Sequence, residues 1–338
     1  MRTPCPSLDH DVPCDRIAPV DARVVFLGTP EFALPTLEKL ADSYNVVGVV
    51  TQPDRESGRG RRVTMPPVKK LALERSIPVY QPRRLRGEDA VAHLKSWAPD
   101  VAVVVAYGQI LRPSVLDIPP FGFLNVHASL LPRWRGASPI QGTLLAGDTT
   151  TGVTIMKLDP GMDTGPILGM RETPVGPDET AGELEARLSA LGADLLLELM
   201  PAYLAGDLMP QPQPEEGVTV IHRRRKAQAV LDWSRSAGQL HNQVRAFSPD
   251  IGAYTYWDGV RVKVLRSELV HPADAPAGGS GTVFSWLGEP VVVTGDGYLK
   301  LVYVQMAGKR PMDGGAFVRG RREFVGARLS SQSPGEPA

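Results

Sequence analysis

The chain has 338 residues and a formal net charge of zero, 37 basic side chains balancing 37 acidic ones. That length accommodates two domains, each able to bury its own core, while neutrality excludes binding driven by overall charge and confines any nucleic-acid affinity to local patches. The only cysteines, Cys5 and Cys14, fall before residue 21, so the body of the fold uses no disulfide and a reducing, cytoplasmic setting is expected.

Residues 1–21 lack the apolar run of a signal peptide and are expected to form a loose extension. The longest apolar stretches, such as "VAVVVA" at 101–106, are strand-sized, so no membrane span is expected. From Arg23 strands and helices alternate. "RVVFLG" (23–28) predicts the first strand, and "TPEFALPTLEKLA" a helix with Thr29 as N-cap and Pro30 at its first position. "NVVGVVT" (45–51), "IPVYQ" (77–81), "DVAVVVAYG" (100–108) and "FLNVHA" (123–128) continue the strands. Apolar strands joined by helices predict a mostly parallel, Rossmann-like sheet covered on both faces, spanning 22–206. The first turn, "GTPEFA", carries one glycine and so departs from the G-x-G-x-x-G of nicotinamide enzymes.

A helix is expected within 178–206. "DLMPQPQPEEG" (207–217) has linker composition, and the linker is placed at 207–225, ending in the basic run "HRRRKA". "DWSRSAGQLHNQVRAF" (232–247) reads as one helix. The short strands after it predict a small OB-like β-barrel over 226–329, with a disordered tail at 330–338.

Within "NVHASLLPRWRGASPIQ" (125–141), Asn125 and His127 point to one side of a strand, with Val126 and Ala128 on the other. They sit at the strand's carboxyl end, where open parallel sheets bind ligands. "GVTIMKLDPGMDTGPI" (152–167) offers two carboxylates, Asp159 and Asp163. Gly161 and Gly165 bracket the second and permit a tight backbone. An Asn donates to a developing oxyanion, a His moves a proton, and an Asp orients the His. Neither Ser129 nor Ser138 lies in a nucleophile elbow, so the nucleophile is expected to come from the substrate. The six histidines are scattered without ligand spacing, so no metal is expected.

These two segments, with "FLGTPEFA", "TQPDRESGRGRR", "LDWSRSAGQLHNQVRAFSP" and "AGKRPMDGGAFVRGRR", closely resemble the 10-formyltetrahydrofolate-dependent formyltransferases, in particular members acting on methionyl-tRNA. The resemblance runs from about Arg23 to Leu329. It implies catalytic roles for Asn125, His127 and Asp163, and a folate pocket formed with Ser129, Leu130, Leu131 and Pro132. The implied reaction moves a formyl group from 10-formyltetrahydrofolate to the α-amino group of methionine on initiator tRNA, for translation initiation, in a monomer. Two segments depart from the pattern: "IHRRRKAQ" replaces a Tyr-Ala element, and "SPDIG" an Asn-Pro-Trp-Pro. Both fall in the second domain. Formyl transfer to a small amine, hydrolysis of the folate, and binding without turnover are the alternatives.

Basic residues cluster at 55–75, 222–226 and 309–322, and three such clusters together with an OB-like domain favour contact with the tRNA backbone, with 226–329 the expected tRNA-binding domain. In the first cluster Arg59, Arg61 and Arg62 are expected to meet the tRNA acceptor end, Arg59 reaching a phosphate or a base edge near the unpaired end. Arg133, Trp134 and Arg135 read either as a packed surface loop or as further guides for the acceptor.

Overall fold

Seven strands form the central sheet of the computed structural model, in the order β10-β9-β7-β6-β1-β2-β5. The structure describes residues 21–57, 62–276 and 278–332, without the side chains of residues 56, 57 and 62. In chain order the first elements are β1 (Arg23–Gly28), α1 (Leu34–Ser43), β2 (Asn45–Val50), β3 (Arg55–Ser57), β4 (Arg62–Thr64), α2 (Pro67–Glu74), β5 (Val79–Tyr80), α3 (Glu88–Ser96), β6 (Val101–Val105), α4 (Pro113–Leu116) and β7 (Phe123–His127). Then come β8 (Arg135–Gly136), α5 (Pro139–Ala146), β9 (Thr150–Lys157), β10 (Ile167–Pro174), α6 (Ala181–Leu204), β11 (Val220–Ile221) and α7 (Ala237–Phe247). The chain ends with β12 (Ala253–Trp257), β13 (Val260–Val270), β14 (Val283–Trp286), β15 (Glu289–Val293), β16 (Tyr298–Met306), β17 (Met312–Asp313) and α8 (Gly314–Gly320).

Contacts divide these elements into two compact units. The first ends at Ala137 and resumes over Gly152–Glu172 and Ala186–Val220; the second takes Ser138–Thr151, Thr173–Glu185 and the chain from Ile221. The mostly parallel α/β sheet and the smaller antiparallel domain are the fold class expected from the sequence.

In the first unit β1, β2, β5, β6 and β7 pair in parallel, and β9 turns antiparallel to β7. Every residue of β6 and β7 is buried, as strands covered on both faces require. Val126 faces α6 so closely that a Cβ on Gly192 would lie 2.5 Å from Val126 Cγ1. Gly192→Ala is therefore expected to push α6 off β7 and to cost roughly 1–3 kcal/mol in denaturant unfolding. Val126→Ala should recover most of that loss, and no recovery would place the strain elsewhere.

The predicted cap at Thr29 is corrected by the structure. A 3₁₀ turn, Glu31–Ala33, precedes the helix, whose first turn contains Pro35. Thr29 Oγ1 donates instead to the Tyr107 carbonyl at 3.4 Å. With Pro30 and Pro35 both fixing φ, the chain takes two short steps where a cap reading expects one.

The Pro-rich stretch after α6 is built into the first unit. Gln211 and Ile167 exchange both backbone hydrogen bonds, at 2.7 and 2.8 Å, and Arg135 N donates to Thr219 O at 2.9 Å.

The second unit pairs β12-β13-β16-β15-β14 antiparallel, with β17 on β16. Residues 326–330 then bond to both ends of this order. Gly326 N donates to Val283 O and Leu329 N to Gly281 O, while Ser330 and Tyr256 exchange two bonds. Both sheet edges are thereby paired, and the sheet closes in the way a small barrel does. Ser330, assigned to the tail from sequence, is thus part of the fold. The reading of 232–247 as one helix is also corrected, because α7 begins only at Ala237. Asp232 Oδ1 accepts from Ser234 N and Oγ, and Ser236 Oγ caps α7 by accepting from Gln239 N. Local side-chain bonds of this kind compete with helix.

Candidate active site

The parallel strands bring their carboxyl ends to one sheet edge, and the polar residues gather there. Asn125 and His127 are 8% and 5% exposed, unusual burial for an amide and an imidazole on a core strand. Their register is fixed on both sides: Val104 stands beside Asn125, and Met156 and Thr154 stand opposite Asn125 and His127.

His127 Nε2 lies 3.0 Å from the Trp134 carbonyl. A carbonyl only accepts, so Nε2 carries the hydrogen. Nδ1 then faces Asp163, 3.8 Å from Oδ2, and both side chains are largely buried. The same Oδ2 accepts from Gly136 N at 2.8 Å. The Asn125 amide makes no hydrogen bond among the described residues, which leaves its N–H free for a ligand.

The two carboxylates of the 152–167 segment separate by role. Asp159 Oδ1 accepts from Gly161 N at 3.0 Å and from Thr164 Oγ1 at 2.8 Å, so it is spent on its own turn. Asp163 is the one brought to His127. It is Asp163, at φ +53°, and not the flanking glycines, that takes the left-handed backbone. The glycines serve close approach: a Cβ on Gly165 would lie 1.9 Å from Lys157 O, and one on Gly161 1.9 Å from Thr164 Oγ1.

Ser129, Leu130, Leu131 and Pro132 form the turn after β7. Ser129 Oγ donates to Arg133 O at 2.6 Å, and its carbonyl accepts from Thr154 Oγ1. Leu131 packs with Met156 and Ile167 in a small core. Ser129 and Leu131 are buried, whereas Leu130 and Pro132 are half-buried. Arg133 stacks its guanidinium on the Trp134 ring, 4.4 Å from the centroid. Arg59 and Arg61 lie outside the described residues, as does the Arg62 side chain; the flanking β3 and β4 pair antiparallel.

The sequence reading missed a cleft of about 460 Å³ at the same sheet edge. Gln52 beyond β2 and Gln109, Ile110 and Arg112 beyond β6 line it with Arg83, Arg84 and Arg86. Gln109 Oε1 holds the rim by accepting from Leu85 N at 2.9 Å. Ile110 is 86% exposed, and none of the four guanidiniums is paired with a carboxylate among the described residues. The signal was present as "QPRRLRG" (81–87), three arginines after a short strand. Nearby, Asp54 accepts from Gln81 and Lys69, which hold its carboxyl below the usual carboxylate range. Burial pushes the Tyr107 phenol up, so it stays protonated. Among the described residues no group of His, Cys, Asp and Glu is placed to hold a metal ion, and no helix is long and apolar enough to cross a membrane.

Residues 22–200 match the formyl transferase family, and residues 223–322 match the formyl transferase C-terminal domain. A methionyl-tRNA formyltransferase of Symbiobacterium thermophilum is 48% identical over 311 residues, covering 91% of this chain and 95% of the relative. Among solved structures, the sugar 3N-formyl transferase WlaRD, determined in the presence of dTDP and 5-N-formyl-THF, superposes with a TM-score of 0.61 at 18% identity, covering 86% of this chain and 99% of that one. The methionyl-tRNA formyltransferase from Clostridium thermocellum gives a TM-score of 0.53 at 15% identity, covering 74% and 94%. The chain, matched along both of its halves, is a formyl-transferring enzyme and belongs to the methionyl-tRNA formyltransferase family.

Proposed function

We propose that the chain transfers the formyl group of 10-formyltetrahydrofolate to the α-amino group of methionine carried by initiator tRNA, acting as a cytoplasmic monomer. The observation that carries this reading is the Asn125 amide, unpartnered among the described residues, beside a His127 ring whose Nδ1 faces the Asp163 carboxylate.

An α-amino group has a pKa near ~8, so a useful neutral fraction attacks at pH 7. Its nitrogen bonds to the formyl carbon, and the formyl oxygen becomes an oxyanion. The Asn125 N–H and the Nε2–H of His127 are the donors for that charge. In the resting protein the Trp134 carbonyl accepts the Nε2 hydrogen, and the more basic oxyanion replaces it as acceptor. Collapse breaks the bond to N10 of the folate. The proton lost by the amine passes through the His127–Asp163 pair to N10, and tetrahydrofolate leaves. No covalent enzyme intermediate is needed.

The cosubstrate carries an aryl group and a glutamate with two carboxylates. Exposed Ile110 and the arginines of the 460 Å³ cleft, which no carboxylate pairs among the described residues, match that chemistry. The Ser129–Pro132 turn shapes the wall nearest the formyl group. Arg84→Glu is expected to raise KM for the folate roughly tenfold, about 1.4 kcal/mol, with kcat unchanged, since this binding is uniform between ground and transition states. The effect should shrink with added salt; an unchanged KM would remove the tail from this cleft. Arg59, Arg61 and Arg62 are assigned to the tRNA acceptor end on sequence alone.

The test supplies 10-formyltetrahydrofolate with Met-tRNA, with free amino sugars, or with water alone. Formyl-Met-tRNA as the dominant product is the expected result. Dominant transfer to a small amine or to water would replace this reading, and sedimentation of the purified enzyme checks the monomer.

A further inference from the structure

We propose that Gln213 is a positioning residue that holds Asp163 in register with His127, an inference that rests on the catalytic reading of that pair.

Asp163 is poorly placed to hold itself. Its backbone is left-handed, which is costly for a residue with a Cβ and persists only where the surroundings over-determine it. Its carboxylate reaches two groups on other segments, His127 and Gly136 N. A small rotation of the loop would break both contacts.

One side chain restrains that rotation from outside. Gln213 Nε2 donates both of its hydrogens, one to Asp163 O and one to Gly165 O, each at 2.8 Å. Gln213 Oε1 accepts from Arg135 Nε at 3.0 Å and Arg135 Nη2 at 2.7 Å. Arg135 precedes Gly136, whose N–H is held by the Asp163 carboxylate. A closed circuit results: Asp163 carboxylate to Gly136, along the chain to Arg135, across to the Gln213 amide, and back to the Asp163 carbonyl. The two segments that meet at the carboxylate are therefore clamped together a second time at their backbones.

Gln213 is itself held. Pro212 and Pro214 fix φ on either side. Two residues upstream, Gln211 makes its paired backbone bonds to Ile167. The amide suits the task because it offers two donors and one acceptor group together. A carboxylate keeps the link to Arg135 and loses both donors to the carbonyls. A thioether of similar length loses everything.

The experiment measures formyl transfer from 10-formyltetrahydrofolate to Met-tRNA by the full-length enzyme, with Gln213→Met, Asp163→Ala and the double variant forming a cycle. Gln213→Met is expected to lower kcat roughly 10²-fold, the scale of a 1 Å misplacement, with KM for both substrates nearly constant. In the Asp163→Ala background it should cost nothing more, because the residue it positions is gone. Gln213→Glu should lose as much as Gln213→Met. Hydrogen exchange of the peptide containing Gly136 reads the displacement without catalysis, and it should quicken in Gln213→Met at an unchanged Tm. Wild-type kcat in Gln213→Met beside a crippled Asp163→Ala overturns this proposal alone. Equal losses in both backgrounds, or full activity in Gln213→Glu, also overturn it, the first by showing general loosening and the second by showing that Arg135 pairing suffices. Near-normal turnover in Asp163→Ala overturns the catalytic reading beneath it, and then only the exchange result bears on the clamp.

Discussion

His127→Ala is expected to lower the single-turnover rate of formyl transfer by roughly 10²–10⁴-fold, the range for lost acid–base assistance, or about 3–5 kcal/mol of transition-state stabilisation. The ring supplies the Nε2 donor and, through Nδ1, the contact to Asp163, so its removal takes both functions at once. Folate affinity, followed by fluorescence titration, should stay within a few-fold because the arginine-lined cleft is untouched. Asp163→Ala should fall into the same range. Asp159→Ala should do less, since that carboxylate serves only its own turn. Collapse in Asp159→Ala with near-normal Asp163→Ala would reverse the roles assigned to the two carboxylates.

Phe324→Ala is expected to destabilise the second unit by about 3–5 kcal/mol, the usual cost of removing a buried aromatic ring. Phe324 is fully buried and meets Trp257 and Phe317 edge-on, with centroids 5.0 and 4.9 Å away. A hole there has walls on β12 and α8, which the remaining sheet holds in place, so collapse around it is limited. Urea unfolding followed by tryptophan fluorescence measures the loss, and Trp257 sits in the affected cluster. We propose tRNA docking for this unit, the role expected of it from the sequence, so KM for Met-tRNA should rise well before folate binding weakens. A loss below about 1 kcal/mol would mean that the cluster repacks around the missing ring.

Much of the first unit was legible because burial on both faces leaves one pattern. Strands such as "VAVVV" admit few readings once they recur with helices between them. The pairing of Asn125 with His127 followed from the two-residue period of a strand, and Val126 does face α6. What failed to show in the sequence depends on contacts between distant segments. "PQPQP" has linker composition, yet Gln213 within it makes four side-chain hydrogen bonds to residues 48–78 positions away. Proline restricts the chain whether or not the chain is packed, so composition cannot tell a tether from a clamp. The arginine cleft was hidden for a related reason: three charges after a two-residue strand read as solvated surface until β6 places Gln109 and Ile110 beside them. Thr29 and the helix start at Asp232 misled through local rules that were sound. Thr29 has a hydroxyl suited to capping, but the neighbouring prolines split the chain into two short steps and the hydroxyl bonds the Tyr107 carbonyl, while the Asp232 carboxylate bonds Ser234 in a turn before the helix.

The strap that bonds both edges of the second sheet also sets the order in which that unit can be made. Thr255 Oγ1 donates to Ser330 O across 75 positions, and Gly281 and Val283 wait for partners at 326–329. On the ribosome β12 to β16 emerge first, with two open edges and nothing to cover them. An open edge pairs readily with another chain. The strands of the second unit therefore stay unsealed until residues 326–330 are in place, and a chain cut before Gly326 is expected to carry two open edges and to aggregate more readily than the full chain.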